Sequence, residues 1–279
     1  MAISIASSYA AIAFRSFAGV IQAAGFGDTT ELLATLAGTL PWWQILLTPT
    51  VGGLLIGLFV YRFLPEKRNQ GVADVIEAAA LHGGHMQFKT GIFAASAAAA
   101  SIGCGASVGR EGPVVHLGAT LSSCFAHALR LDRSATRTLL GCGVAAAVAA
   151  SFNAPIAGVF FALEVVVGHY RMTAFAPVVV ASVLGTAISR AHFGDFPAFT
   201  VAHIDIVSYF EIPAFAILGL VSALVAIIFM ASIMFTAETV EKSPYPAGRS
   251  RCWVASQLVR LPWSIRKNSA SGTKPLIRR

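Results

Sequence analysis

Apolar stretches without Asp, Glu, Lys or Arg recur along the chain: Leu32 to Tyr61, Thr90 to Gly109, Gly112 to Leu129, Thr138 to Leu163, Met172 to Ser189 and Ile212 to Ala237. About 20 apolar residues rising 1.5 Å each cross a hydrocarbon core of roughly 30 Å, so each run crosses a bilayer fully or nearly so. Their length is that of helices and none alternates with period two, which excludes a membrane β-barrel. The pattern predicts helices over Ile5 to Ala24, Trp42 to Leu64, Val72 to His82, Lys89 to Gly103, Pro113 to Leu129, Arg133 to Ala149, Pro155 to Gly168, Thr173 to Ala191 and Ile212 to Val240. Val72 to His82 and Pro155 to Gly168 are too short to cross. Helices that stop inside a membrane are tolerated only where the freed backbone lines a cavity or is buried in protein, which points to an ion or solute pathway. The first segment, Met1 to Phe26, has no basic leader and carries Arg15 in its middle, so it reads as a membrane helix and not as a cleaved signal peptide.

Composition agrees: 56% of the 279 residues are hydrophobic and 12% charged, the balance of a multi-pass integral membrane protein. The net charge of +7 invites a nucleic-acid partner, but its distribution removes that reading. Residues 1–242 hold 12 Lys and Arg against 13 Asp and Glu, whereas residues 243–279 hold 8 basic residues and no acidic one. Residues 1–242 are therefore the transmembrane domain. Residues 243–279 are a basic tail, disordered or lying on an anionic leaflet, whose composition resembles a shifted-frame or recombined end. Cysteines 104, 124, 142 and 252 form no CxxC pair and read as packing residues. Small-residue stretches such as "GIFAASAAAASIGCGAS" and "GCGVAAAVAAS" permit close approach of helix backbones. No phosphate loop, metalloprotease motif or serine triad is present, so neither an enzyme nor a cofactor is expected.

The candidate chemistry lies in "GREGPVVHLGA", Gly109 to Ala119. Gly109 and Gly112 permit close approach, and Pro113 suits a first helical turn, so the segment delivers the chain to a helix N-terminus. The unpaired amides and positive dipole end there form an anion site. Beside it Arg110 and Glu111 stand together. The Glu111 carboxylate can occupy the site in place of an anion and open it when protonated or swung aside; the plainer alternative is a cap, or a pair with Arg110. "SFNAPIAGVFFALEVV", Ser151 to Val166, repeats the design with Asn153 as a polar cap, Pro155 near the start and Glu164 buried far down the helix. "NQGVADVIEAAA", Asn69 to Ala80, is a third glycine-led start, and three such N-termini can converge on one anion. His82 and His85 have metal-like proximity without a third ligand and read as a loop at the membrane edge, His116 and His127 as packing residues beyond Glu111, and Trp42 and Trp43 as interface anchors.

"GREGP" followed by "FNAPIAGVFFALE" resembles the CLC family of chloride channels and chloride/proton antiporters, over roughly Ile5 to Glu241. The resemblance implies an all-α membrane fold of broken and tilted helices: the first inverted repeat of a CLC-type fold plus the first helix of the second. It implies homodimers with a pore in each subunit, a cell membrane of bacterial inner-membrane type, and chloride or another small anion as the transported ion. It makes Glu111 the gate. Gly109, Arg110, Gly112 and Pro113 fill the rest of that motif, and Gln70, Gly71 and Val72 match a second anion-contacting motif, in which Gln70 replaces the usual serine and Ala73 the usual proline. Asn153, Pro155, Glu164 and Val165 support the pathway. Val165 stands where antiporters of the family carry a second acidic residue as proton relay, so passive conduction is expected over exchange. The second half's "GxFxP" start and pore tyrosine are not found; Tyr209 and Tyr245 lie in other contexts. A truncated subunit is therefore expected, with an antiporter or a nonconducting interaction module as the alternatives.

Overall fold

The computed structural model describes residues 1–28, 40–65, 68–106, 108–195 and 211–241, and these are almost wholly helical. In chain order they form α1 (Ala2–Phe26), α2 (Trp42–Phe63), α3 (Val72–Ala80), α4 (Phe88–Gly103), α5 (Glu111–Ala128), α6 (Arg133–Phe152), α7 (Pro155–Phe161), α8 (Met172–Phe193) and α9 (Glu211–Glu241). α7 continues as a π-helical turn, Ala162–Val167. Every helix read from the sequence is present, with ends displaced by a few residues. The expected tail and the tyrosines at 209 and 245 lie outside the described residues. Among the described residues, five helices, α1, α2, α6, α8 and α9, are long and apolar enough to cross a membrane. α3, with nine residues, rises about 14 Å, less than half of a roughly 30 Å core.

Residues 1–200 and 201–279 form two units. The second contains α9, whose 31 residues extend about 46 Å at 1.5 Å per residue and carry no charged side chain from Ile212 to Ala237. In the first, α6 is the axis, and all residues from Gly141 to Ala150 are buried. α8 runs parallel to α6: Gly141 faces Val178, Gly185 faces Ala146, and Ser189 Oγ donates to the Ala150 carbonyl at 2.7 Å. α5 runs antiparallel to α6, with Gly118 beside Gly143 and Ala147, and Ser122 beside Gly143.

These crossings explain the small-residue stretches. A Cβ on Gly118 would lie 2.7 Å from the Gly143 carbonyl oxygen, and one on Gly185 would lie 2.6 Å from that of Ala146. Only glycine lets the backbones come so near, and dispersion between close backbones is what joins helices where lipid removes the hydrophobic drive. α1 completes this core: Ala11, Phe14 and Ala18 cluster with Ala95, Ala98 and Ala99 of α4 and with Val114, Ala147 and Ala150. Its part in the bundle agrees with the reading of a membrane helix. α2 is antiparallel to α4, with Gly52 against Cys104 and with Val60 and Leu64 in a cluster with Ala94 and Ala97. Four of the buried hydroxyls are paired within their own helices, Ser8, Thr120, Ser122 and Thr186 each donating to the carbonyl four residues earlier.

Candidate functional site

α5 begins at Glu111, two residues before the position read from the sequence, with Arg110 as its N-cap. Proline's fixed φ suits any first-turn position, and its missing N–H falls among amides that lack an intrahelical acceptor. Pro113 is thus the third helical residue. Val114 N–H donates to the Arg110 carbonyl at 3.3 Å, so helix geometry leaves the Glu111 and Gly112 amides to face whatever lies beyond the helix end. Glu111 is exposed, and its carboxyl folds back along the loop, with Oε2 3.4 Å from where a Gly109 Cβ would stand.

The second N-terminus meets the first. A Cβ on Gly112 would lie 3.8 Å from Gly71 Cα and 4.0 Å from Val72 N, so no side chain separates the starts of α3 and α5. Gly71 caps α3 in extended conformation, and its N–H donates to Asp74 Oδ2 at 2.7 Å. Arg68 holds the same carboxylate through two hydrogen bonds, of 2.7 and 3.3 Å. Partial burial works against the Asp74 charge, but the hydrogen bonds from Arg68 and Gly71 and the guanidinium charge outweigh it, leaving the carboxyl below its ordinary range. The amides of Val72 and Ala73, without intrahelical acceptors, remain for a ligand. Gln70 and Val72 are half-buried beside this junction.

Sequence reasoning overlooked Arg68 and Asp74. The spacing Gly71-x-x-Asp74 is that of a capping box, and it was the available signal.

The third start differs from expectation. Asn153 does not cap α7; it closes α6 in the left-handed region at φ 53°, a conformation asparagine tolerates better than other side chains. Its side chain is turned to α8 instead: Arg190 Nε donates to Asn153 Oδ1 at 2.7 Å, and Asn153 Nδ2 donates to Asp195 at 3.2 Å. Ala154 is the N-cap of α7, with no side-chain cap, and Pro155 follows at the first helical turn. Ser182 Oγ donates to the Pro155 carbonyl at 2.6 Å and ties this start to α8. The turn reaches the α5 start through Arg110, whose guanidinium lies 5.6 Å from the Phe152 ring centroid.

Glu164 is exposed and not buried. Leu163, Val166 and Val167 fill the inward face of the π-helical turn, and Glu164 falls on the outer side. Val165 is half-buried against the main core. His116 is buried on α5, and its Nδ1 has no hydrogen-bond partner. His82, His85 and Trp43 are exposed. Among the described residues no group of three or more His, Cys, Asp or Glu is placed to hold a metal.

A family model described as the voltage gated chloride channel matches residues 52–258. A putative chloride channel protein ClcB-like of Ralstonia nicotianae is 35% identical over 226 residues, 80% of this chain and 52% of the relative. Chloride channel protein CLC-f of Arabidopsis thaliana is 32% identical over 209 residues, 71% of this chain and 25% of the relative. The voltage-gated ClC-type chloride channel ClcB of Escherichia coli is 29% identical over 190 residues, 67% of this chain and 45% of the relative. The chain thus spans about half the length of these bacterial relatives. The crystal structure of a slow cyanobacterial Cl−/H+ antiporter superposes with a TM-score of 0.74 at 18% identity, covering 91% of this chain and 59% of that one. A eukaryotic CLC transporter superposes with a TM-score of 0.67 at 16% identity, covering 94% and 49%. These likenesses establish the all-helical, multi-span fold, and the family consists of channels and transporters, not enzymes. With its family model matched over 207 of its 279 residues, this multi-pass membrane chain belongs to the voltage-gated chloride channel family.

Proposed function

We propose that this chain builds an anion pathway for chloride, channel-like in action, with the central anion site at the junction of α3 and α5 and Glu111 as its gate. The observation that supports it is the approach of Gly112 to Gly71, which brings two helix N-termini together with no side chain between them. Backbone amides of Val72, Gly109, Arg110 and Gly112 then offer donors without a full opposing charge, which favours an anion that binds and leaves, while Gly71, whose own N–H is held by Asp74, contributes the open approach that its missing side chain allows. Pro113 supplies no amide and fixes the first turn around the site. Gln70 adds an amide donor of greater reach than a serine hydroxyl. The Glu111 carboxylate competes with chloride for the same amides and yields the site when protonated or swung out. Val165 cannot carry a proton, which favours conduction over exchange. Residues 1–242 would then be the first inverted repeat of the fold with the first helix of the second, working as a homodimer in a bacterial inner membrane.

Bromide in place of chloride tests the site. In crystals of the chain, anomalous scattering should place bromide within about 3.5 Å of the Glu111, Gly112, Val72 or Ala73 amides. Bromide bound elsewhere, with this junction unoccupied, would remove the assignment.

A further inference from the structure

Two joined cavities open where α5 ends and α4 and α6 begin. The first, of about 400 Å³, is lined by His85, Ser123, His127, Arg130 and Thr136. The second, of about 340 Å³, shares His85, Ser123 and His127 and adds Met86, Phe88 and Lys89. The His85 and His127 rings stand 5.6 Å apart, and Arg130 reaches the wall from a backbone at φ 50°. Among the described residues, no carboxylate lines either cavity. The negative dipole end of α5 accounts for His127 and Arg130 nearby. It does not account for His85 and Lys89, which come from another part of the chain, nor for the apolar annex formed by Met86 and Phe88.

The position in the bilayer decides what fits. α6 and α8 are parallel, and α5 is antiparallel to both α4 and α6, as Met86 N–H donating to Ser123 Oγ at 2.8 Å also requires. Lys89, Arg130, Arg133, Arg137 and Arg171 therefore gather at one end of the bundle, with Arg137 beside Gly168. Such a basic end faces the cytoplasm, where the leaflet carries the anionic lipids. Arg133 is already engaged, donating to the Ala80 and Leu81 carbonyls, whereas His85, His127 and Arg130 line the cavity.

We propose that the joined cavities bind an anionic phospholipid of that leaflet. Its phosphate lies among His85, His127 and Arg130, and its glycerol and upper acyl chain lie along Met86 and Phe88. The site is distinct from the α3–α5 junction and does not depend on conduction.

Native mass spectrometry of the full chain in neutral detergent tests this, with dioleoylphosphatidylglycerol and dioleoylphosphatidylcholine added at equal concentration and inorganic phosphate as a third probe. The glycerol lipid should be retained about tenfold over the choline lipid, and Arg130→Asn or His85→Gln should each lower that retention about fivefold. Asparagine is chosen at 130 because it tolerates the left-handed backbone. Arg62→Gln removes a charge from the same end of the bundle but outside the cavities and should change nothing. If helicity measured by circular dichroism falls in Arg130→Asn, His85→Gln decides. Equal retention of both lipids, an equal loss in Arg62→Gln, or occupancy by inorganic phosphate without retention of the glycerol lipid would each overturn the proposal.

Discussion

Gly185→Ala should destabilise the bundle, whereas Gly53→Ala, the same chemical change on α2, should not. At Gly185 the new methyl would lie 2.6 Å from the Ala146 carbonyl oxygen, 2.9 Å from its Cα and 3.1 Å from its carbonyl carbon, all main-chain atoms that no rotamer change can move. Ordinary carbon–oxygen contact begins near 3.3 Å, so α8 must withdraw from α6 by roughly 0.7 Å. Ala146 is fully buried, and no flexible side chain exists to absorb the shift. Overpacking of this kind costs about 1–3 kcal/mol, against which alanine regains up to about 1 kcal/mol of helix propensity. At Gly53 a methyl meets nothing within 4 Å, so only the gain remains. The two variants should therefore differ by about 1–3 kcal/mol, Gly185→Ala being the less stable. Unfolding of both in SDS, followed by far-UV circular dichroism, measures the difference. Equal midpoints would refute the reasoning that backbone contact at Gly185 sets the α6–α8 distance.

Three further outcomes follow from the site. Asp74→Asn should lower stability by about 1–2 kcal/mol, since Gly71 and Arg68 lose a charged acceptor. It should also strengthen chloride binding: removing one charge roughly 5 Å from an anion on the α3 amides changes its energy by about 3 kcal/mol at an effective dielectric of 20 and about 0.8 in water. Titration calorimetry measures that gain, and an unchanged affinity would contradict it. Because the folded-state Asp74 carboxyl lies below its ordinary value of 3.8, its stabilisation is present above that pH and is lost as pH falls through the lower folded value. Wild type should thus lose stability on acidification below about pH 4 by a step that Asp74→Asn lacks, and parallel pH profiles of thermal midpoint would exclude it. Asn153→Ala should destabilise by about 1 kcal/mol more than Asn153→Gly, since both lose the contacts to Arg190 and Asp195 but only alanine resists φ 53°. Equal thermal midpoints would show that the backbone conformation carries no cost.

The helices were legible because charge-free runs of membrane length and glycine-proline starts are local signals, read without knowing what packs on what. The α3 and α5 starts were legible for the same reason, as "NQGVAD" and "GREGP" carry their geometry in their own residues. That they adjoin was an expectation from convergence, and the missing side chains of Gly71 and Gly112 show how the approach is made. Asn153 was misread because a polar residue before proline looks like an N-cap, whereas its partners lie some 40 residues away in sequence, Arg190 in the last turn of α8 and Asp195 just beyond its end. Glu164 was misplaced for a similar reason. A π-helical turn shifts which residues face inward, and apolar spacing read with a 3.6-residue period does not register it. Asp74 passed unnoticed because "NQGVAD" was read for its glycine-led start, without weighing the carboxylate against the Gly71 amide three residues earlier.

Chloride efflux from liposomes containing the purified 279-residue chain, recorded with an external pH probe, tests the central claim most directly. The account predicts efflux above protein-free vesicles, faster in Glu111→Ala and Glu111→Gln than in wild type, with no accompanying proton movement. Efflux that is identical in all three proteins would contradict Glu111 as the gate, and chloride-driven proton uptake would contradict passive conduction.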